Sequence, residues 1–275
     1  MTARLTSRFA SLKRANRAVL VAYIMASDPD HEACFEILRG LPEAGADIIE
    51  LGFPFTDPMA DGPSIQKAAL RALKAGGSLK HTLDLARRFR ETNADTPLIL
   101  MGYANPIESM GYDAFSQAMH ASGADGAIIV DLPPEEDAPL RAAFAAHNLS
   151  IIRLATPTTD DNRLTKVLEG ASGFVYYVSV AGITGANAAT ATAVRSAVAR
   201  LKRATDLPIA VGFGVREPEA ACAIAETADA VVVGSAFVDE IVAGPSAQAA
   251  ERVLRKVAQL SEAVRSAREI EGMRA

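Results

Sequence analysis

The sequence predicts a single α/β domain over residues 1–275, built as a (β/α)8 TIM barrel. Three observations lead there. Eight short runs rich in Val, Ile and Leu recur, each followed by a longer stretch of helical periodicity. The runs are continuously apolar, as strands covered on both faces are, and do not alternate. The chain has 275 residues with no Pro/Gly/Ser-rich linker or charge block to divide it, and barrels of this kind often run to about 250 residues as one unit. A doubly wound open sheet is the competing architecture, since a strand count read from one sequence can be off by one or two.

Taken in order, Leu5–Asn16 reads as an extra helix covering the bottom of the barrel. The strands are Ala18–Met25, Asp47–Gly52, Leu98–Gly102, Gly126–Asp131, Ser150–Leu154, Phe174–Ser179, Pro208–Gly212 and Ala230–Gly234. Between them, His31–Glu43, Leu79–Arg90, Tyr112–Ala121, Glu135–His147, Asp161–Glu169, Thr190–Arg203 and Pro218–Glu226 place apolar residues three and four apart. Several of these helices open with Asp, Pro or Thr, as helix starts do. The connection from Phe53 to Asp95 is long enough for two helices and a loop, the first helix starting near Ser64. Long loops in compact folds are usually functional. A short extra helix from Ala236 to Val242 follows the last strand, and an amphipathic helix runs from Ala247 to about Arg268.

Composition narrows the function. Aromatic residues make up 5% and Trp is absent, so the core must be aliphatic. A net charge of −5 argues against a broad nucleic-acid surface. No apolar run approaches the roughly 18 residues of a membrane span, and MTARLTSRFA at the start resembles no signal peptide. Cys34 and Cys222 lie far apart in helical segments and form no disulfide framework. These features predict a cytoplasmic protein.

Chemistry-bearing residues concentrate in Ile49–Gln66, IELGFPFTDPMADGPSIQ. Glu50 interrupts an otherwise apolar strand near its C-terminal end, where barrel enzymes place catalytic groups. Burying a carboxylate there is unfavourable unless it is paired, neutral or facing the open barrel mouth. An Arg or backbone donor satisfying Glu50 is the plainer alternative. Asp61 lies in a loop stiffened by Pro54, Pro58 and Pro63. Asp61-Gly62-Pro63 also suits a simple turn and helix cap. Two acids held differently, one on a strand and one on a loop, can take different protonation states and different roles.

Glycines mark the ends of the last three strands, in Ala181–Asn187, Gly212-Phe213-Gly214 and Gly234-Ser235. One Gly-X-Gly is most simply a tight turn. Three at successive strand ends, with a short helix after the last, suit a phosphate bound by backbone N–H groups and a helix dipole. Other chemistries lack their residues. Lys13, Lys67, Lys74, Lys80, Lys166, Lys202 and Lys256 all fall outside the strands, so no barrel lysine offers a Schiff base. His31, His81, His120 and His147 read as helical or helix-end residues, with no zinc-ligand spacing and no metal site expected. Proton transfer by carboxylates on a phosphorylated substrate remains.

The Glu50–Gln66 segment closely resembles the signature of the tryptophan synthase alpha chain family. Supporting matches run along almost the whole chain: Tyr23, Asp28-Pro29, Met101–Asn105, Asp131-Leu-Pro, Tyr176–Gly185, Gly212–Gly214 and Gly234–Ala236. The resemblance implies retro-aldol cleavage of indole-3-glycerol phosphate to indole and glyceraldehyde 3-phosphate, the next-to-last chemical step of tryptophan biosynthesis. It assigns acid–base work to Glu50, and to Asp61 the indole N–H and the charge that develops on the ring. It implies that Thr184 bonds the aspartate from a closing loop, and that Gly185, Gly214, Gly234 and Ser235 bind phosphate. Tyr23, Met101, Ile128, Leu154, Tyr176 and Phe213 match pocket-wall positions, with ordinary barrel core as the alternative for Ile128 and Leu154. An α2β2 heterotetramer is implied, allosterically coupled, with indole passing to a β subunit that carries pyridoxal phosphate; no cofactor is expected in this chain. Pro54, Asp57 and the Asn105–Met110 loop match surfaces facing that partner. Departures from the family pattern are Val180-Ala181 for Arg-Ser, Ser27 for a frequent Gly, and Met25 for a common Thr.

Overall fold

The computed structural model describes residues 2–179, 188–212 and 214–274. Helix α1 (Ala3–Arg14) precedes β1 (Val19–Met25), α2 (His31–Gly40) and β2 (Ile48–Gly52). Two helices, α3 (Pro63–Lys74) and α4 (Leu79–Arg90), fill the long connection to β3 (Leu98–Gly102). Then come α5 (Ala104–Met110), α6 (Tyr112–Ser122), β4 (Gly126–Ile129), α7 (Ala138–Ala146), β5 (Ser150–Ile151), β6 (Arg153–Ala155) and α8 (Asp161–Leu168). The last part runs β7 (Val175–Val178), α9 (Ala188–Ala204), β8 (Ile209–Gly212), α10 (Pro218–Ala225), β9 (Ala230–Val233), α11 (Ser235–Val242) and α12 (Ala249–Arg274).

All strand pairings are parallel, in the order β5-β4-β3-β2-β1-β9-β8-β7-β6. The sequence predicts one strand over Ser150–Leu154, and the structure has two. The ladder to β4 ends at Ile151 and the ladder to β7 starts at Arg153. Closing a sheet staggers its strands, so each neighbour reaches a different part of this one. The break at Ile152 is thus the seam of a nearly closed eight-position barrel, not a ninth layer.

Period-two alternation separates two apolar layers. Val19 and Val21 of β1 turn inward with Ile48, Ile99, Ile128, Ile152, Phe174 and Val232, whereas Leu20, Ala22 and Ile24 face the helices. Ile48 faces inward, so Glu50, two residues on, faces inward as well. Leu5 and Phe9 of α1 join the inner cluster, with the Phe9 and Phe174 rings 5.9 Å apart. The predicted helical floor is therefore present, starting two residues earlier than the apolar pattern suggested.

Helix starts follow the local chemistry. Asp30, Ser78 and Asp160 accept hydrogen bonds from the first-turn N–H groups of α2, α4 and α8, and Pro occupies the first turn of α3, α7 and α10. One boundary needs correction. Asn105–Met110, read as a loop, is most of α5, whose Ala104 N–H donates to Asp131 Oδ1 at 2.7 Å. Seven residues with a Pro in the first turn are too short to show helical periodicity, and the cap arrives from a residue distant in sequence. The 26-residue α12 packs on α2, α10 and α11. Among the described residues, no helix is long and apolar enough to cross a membrane.

Candidate active site

The ends of the strands open into a cavity of about 530 Å³. Its walls include Glu50, Asp61, Tyr23, Met101, Tyr176, Gly214, Gly234 and Ser235, eight positions singled out in the sequence. Leu154 lines it as well, whereas Ile128 lies in the inner core below, where the plainer reading placed it. Thr184, Gly185 and Phe213 fall outside the described residues. Thr156, Val130, Val178, Val232 and Arg216 also line the cavity and were missed. The valines look like core in a sequence. Arg216 had a usable signal, lying two residues beyond the Gly212–Gly214 turn.

Glu50 reaches the cavity because β2 carries it there in register with Tyr23 of β1. It is 1% exposed, and among the described residues no group donates to its Oε1. The alternative of an Arg or backbone partner for that oxygen therefore fails. Burial pushes its pKa up from the ordinary 4.5 to about 8, because a carboxylate without water or donors is disfavoured as an anion. Near neutral pH Glu50 thus carries a proton, while a modest change of surroundings can remove it.

Asp61 sits differently. The helix cap of α3 is Gly62, with no side-chain capping bond, so Asp61 is not spent as a cap. The Asp61 carbonyl accepts from Gln66 Nε2 at 2.9 Å, which fastens the loop to α3. Its carboxyl is raised to about 6, chiefly by burial, with a hydrogen bond from Tyr103 pulling it back down. Tyr103 Oη also accepts from the Ala60 N–H at 3.1 Å, and its ring lies 5.5 Å from that of Phe55. Tyr103, at the start of α5, thereby anchors the loop that bears Asp61. The two acids titrate apart, which separates a proton carrier from a standing anion.

The surroundings keep other protons in place. Burial, with Asp61 and Glu50 nearby, raises Tyr23 well above the usual phenol value, and burial with Glu50 does the same to Tyr176. Glycines make room for these rings. A Cβ at Gly52 would lie 2.3 Å from Tyr23 Oη, and one at Gly212 would lie 2.8 Å from Tyr176 Oη. Arg71 of α3 makes two bonds to buried Asp28, at 2.7 and 2.8 Å, tying the loop after β1 to that helix. Ser27 beside it has φ +68°, a conformation that suits Gly.

Also in the cavity wall, Gly214 takes φ +83° and Gly234 caps α11 without a side-chain bond. Gly214 follows β8 and Gly234-Ser235 follow its neighbour β9, so the N-terminal residues of α11 form part of the cavity wall beside Gly214. Of the expected partner-facing residues, Asp57 and Asn105 are exposed. Pro54, two residues beyond the end of β2, is buried and does not stand on that surface. Residues of other chemistries lie on the outer layer: the His31 and His81 rings pair at 4.8 Å, and His120 and His147 at 5.2 Å.

A (β/α)8 barrel whose strand ends hold a buried Glu50 and a partly buried Asp61 in one cavity has the architecture of a barrel enzyme equipped for acid–base work. Comparison with known proteins agrees. The family model for the tryptophan synthase alpha chain matches residues 9–269. Tryptophan synthase alpha chains of Caulobacter sp. (strain K31) and Caulobacter vibrioides (strain NA1000 / CB15N) are 57% and 56% identical, over 96% of this chain and 97% of theirs. The crystal structure of tryptophan synthase subunit alpha from Legionella pneumophila str. Paris superposes with TM-score 0.89 at 38% identity, covering 96% of this chain and 99% of that one. A chain of M. tuberculosis tryptophan synthase superposes with TM-score 0.86 at 35% identity, covering 96% and 99%. The chain belongs to the tryptophan synthase alpha chain family. It is a lyase of tryptophan biosynthesis that cleaves indole-3-glycerol phosphate to indole for the β subunit.

Proposed function

We propose that Glu50 and Asp61 divide the chemistry of this cleavage. The observation that carries the reading is the buried Glu50, whose Oε1 meets no donor among the described residues and whose pKa burial raises to about 8, in the same cavity as Asp61, raised only to about 6. Glu50 delivers its proton to indole C3, and the positive charge that results lies on the ring nitrogen. Asp61, ionised above its pKa of about 6, receives the indole N–H and stabilises that charge from a preorganised position. Glu50, now a carboxylate, takes the proton of the side-chain hydroxyl. The hydroxyl carbon becomes the aldehyde as its bond to C3 breaks, and the electron pair returns to the ring and neutralises it. Indole leaves, and Glu50 is protonated again, so the net transfer is one proton from oxygen to carbon.

The phosphate is held by the N–H groups around Gly214, Gly234 and Ser235, with Tyr23, Met101, Leu154 and Tyr176 against the indole. Thr184, Gly185 and Phe213 are assigned to the same substrate by family resemblance. Asp57 and Asn105 face the β subunit, near the loop that carries Asp61, so that docking can bear on catalysis. The chain needs no cofactor of its own, pyridoxal phosphate belonging to the partner, and acts as one domain in the cytoplasm. Indole release from indole-3-glycerol phosphate, measured with and without β subunit, tests the assignment. Glu50→Gln and Asp61→Asn are each expected to lower kcat by about 100-fold or more. Near-normal turnover in either variant would show that its carboxyl does no chemistry.

A further inference from the structure

Arg216 is the one cationic residue among the described residues lining the cavity, whose two acids, Glu50 and Asp61, oppose an anionic ligand. It follows Gly214 by two residues, after β8, which pairs with the β9 that leads into Gly234 and Ser235, and it reaches Asp239 of the α11 that they open. The N–H groups of α11 supply partial charge only, which leaves most of a phosphate dianion's charge unmatched. A guanidinium supplies a full charge in a fork that fits phosphate oxygens.

Its present partner is a weak one. Arg216 Nη1 lies 2.7 Å from Asp239 Oδ2, with the side chains 43% and 42% exposed. Pairs so wet contribute little, so exchanging the carboxylate for a dianion costs little. Asp239 stands four residues along α11 from Ser235, about 6 Å along the helix axis. A flexible arginine covers that distance by changing rotamers.

We propose that Arg216 is a substrate-binding, specificity-determining residue whose guanidinium leaves Asp239 to hold the substrate phosphate. The proposal rests on the phosphate reading of the Gly214–Ser235 end. Dissociation constants for indole-propanol phosphate and for the unphosphorylated alcohol, measured on the full chain, separate the two. The wild type is expected to prefer the phosphorylated analogue strongly. Arg216→Gln should weaken that analogue by about tenfold or more, leave the alcohol unchanged, and raise KM without lowering kcat. Arg216→Lys should fall between them, keeping charge but losing the fork. If Arg216→Gln retains the full preference for phosphate, or weakens both analogues equally, Arg216 is no phosphate ligand. If the wild type itself shows no preference, the phosphate reading fails, and this proposal with it.

Discussion

Glu50→Gln should make the protein more stable as the pH rises, even as it removes activity. The folded chain holds Glu50 at a pKa of about 8, against an ordinary 4.5. Between those values the folded state keeps a proton that the unfolded chain has released, so folding stability falls as pH increases. Each pH unit in that window costs about 1.4 kcal/mol. From pH 5 to pH 7 this amounts to about 2.5 kcal/mol of wild-type stability, and by pH 8 to about 3.5. Gln has nearly the same shape, stays neutral, and loses nothing through this group. Urea unfolding of both proteins at pH 5, 6, 7 and 8 isolates the effect, because the other titrating groups are shared. The variant and wild type should be close at pH 5, with the gap in favour of the variant widening steadily to pH 8. A gap that stays constant over that range would mean that Glu50 is ionised in the folded protein, and the proton-carrier argument would collapse.

Turnover should follow the two acids. Asp61 must be ionised, so kcat/KM is expected to fall below about pH 6; Glu50 must enter protonated, so it should fall again above about pH 8. Tyr103→Phe removes the hydrogen bond that lowers Asp61, so the acid limb of that profile should move to higher pH while the alkaline limb stays. An unmoved acid limb would show that the phenol does not act on Asp61. Ser27→Gly relieves a left-handed serine and a buried hydroxyl without a partner. It should stabilise the fold by about 1 kcal/mol after the flexibility of glycine in the unfolded chain is counted, measurable as a rise in the urea midpoint.

Much of the fold was legible because the barrel repeats one local pattern. Continuous apolar runs such as Leu98–Gly102 exist because both faces are covered, and the intervening helices carry their own caps in Asp30, Ser78 and Asp160. What escaped depends on distant partners. Helix α5 is capped by Asp131, 27 residues away from Ala104. The division of β5 from β6 follows from closure, which no local run reveals.

For the site, residue type and order already name the groups present: Glu50 on an apolar strand, Asp61 on a proline-stiffened loop, glycines after the late strands, and no lysine in the strand runs. Spacing and residue type are written locally, so those inferences needed no coordinates. The states of the two acids follow from packing. Glu50 carries a proton near neutral pH because β1 and its neighbours bury it without a donor for Oε1. Asp61 escapes service as a helix cap and meets Tyr103 from another strand's loop. The same packing set Arg216 at the cavity wall beside Asp239. Desolvation and charge act through space, among residues dozens of positions apart, so protonation and partnership are properties of the folded barrel.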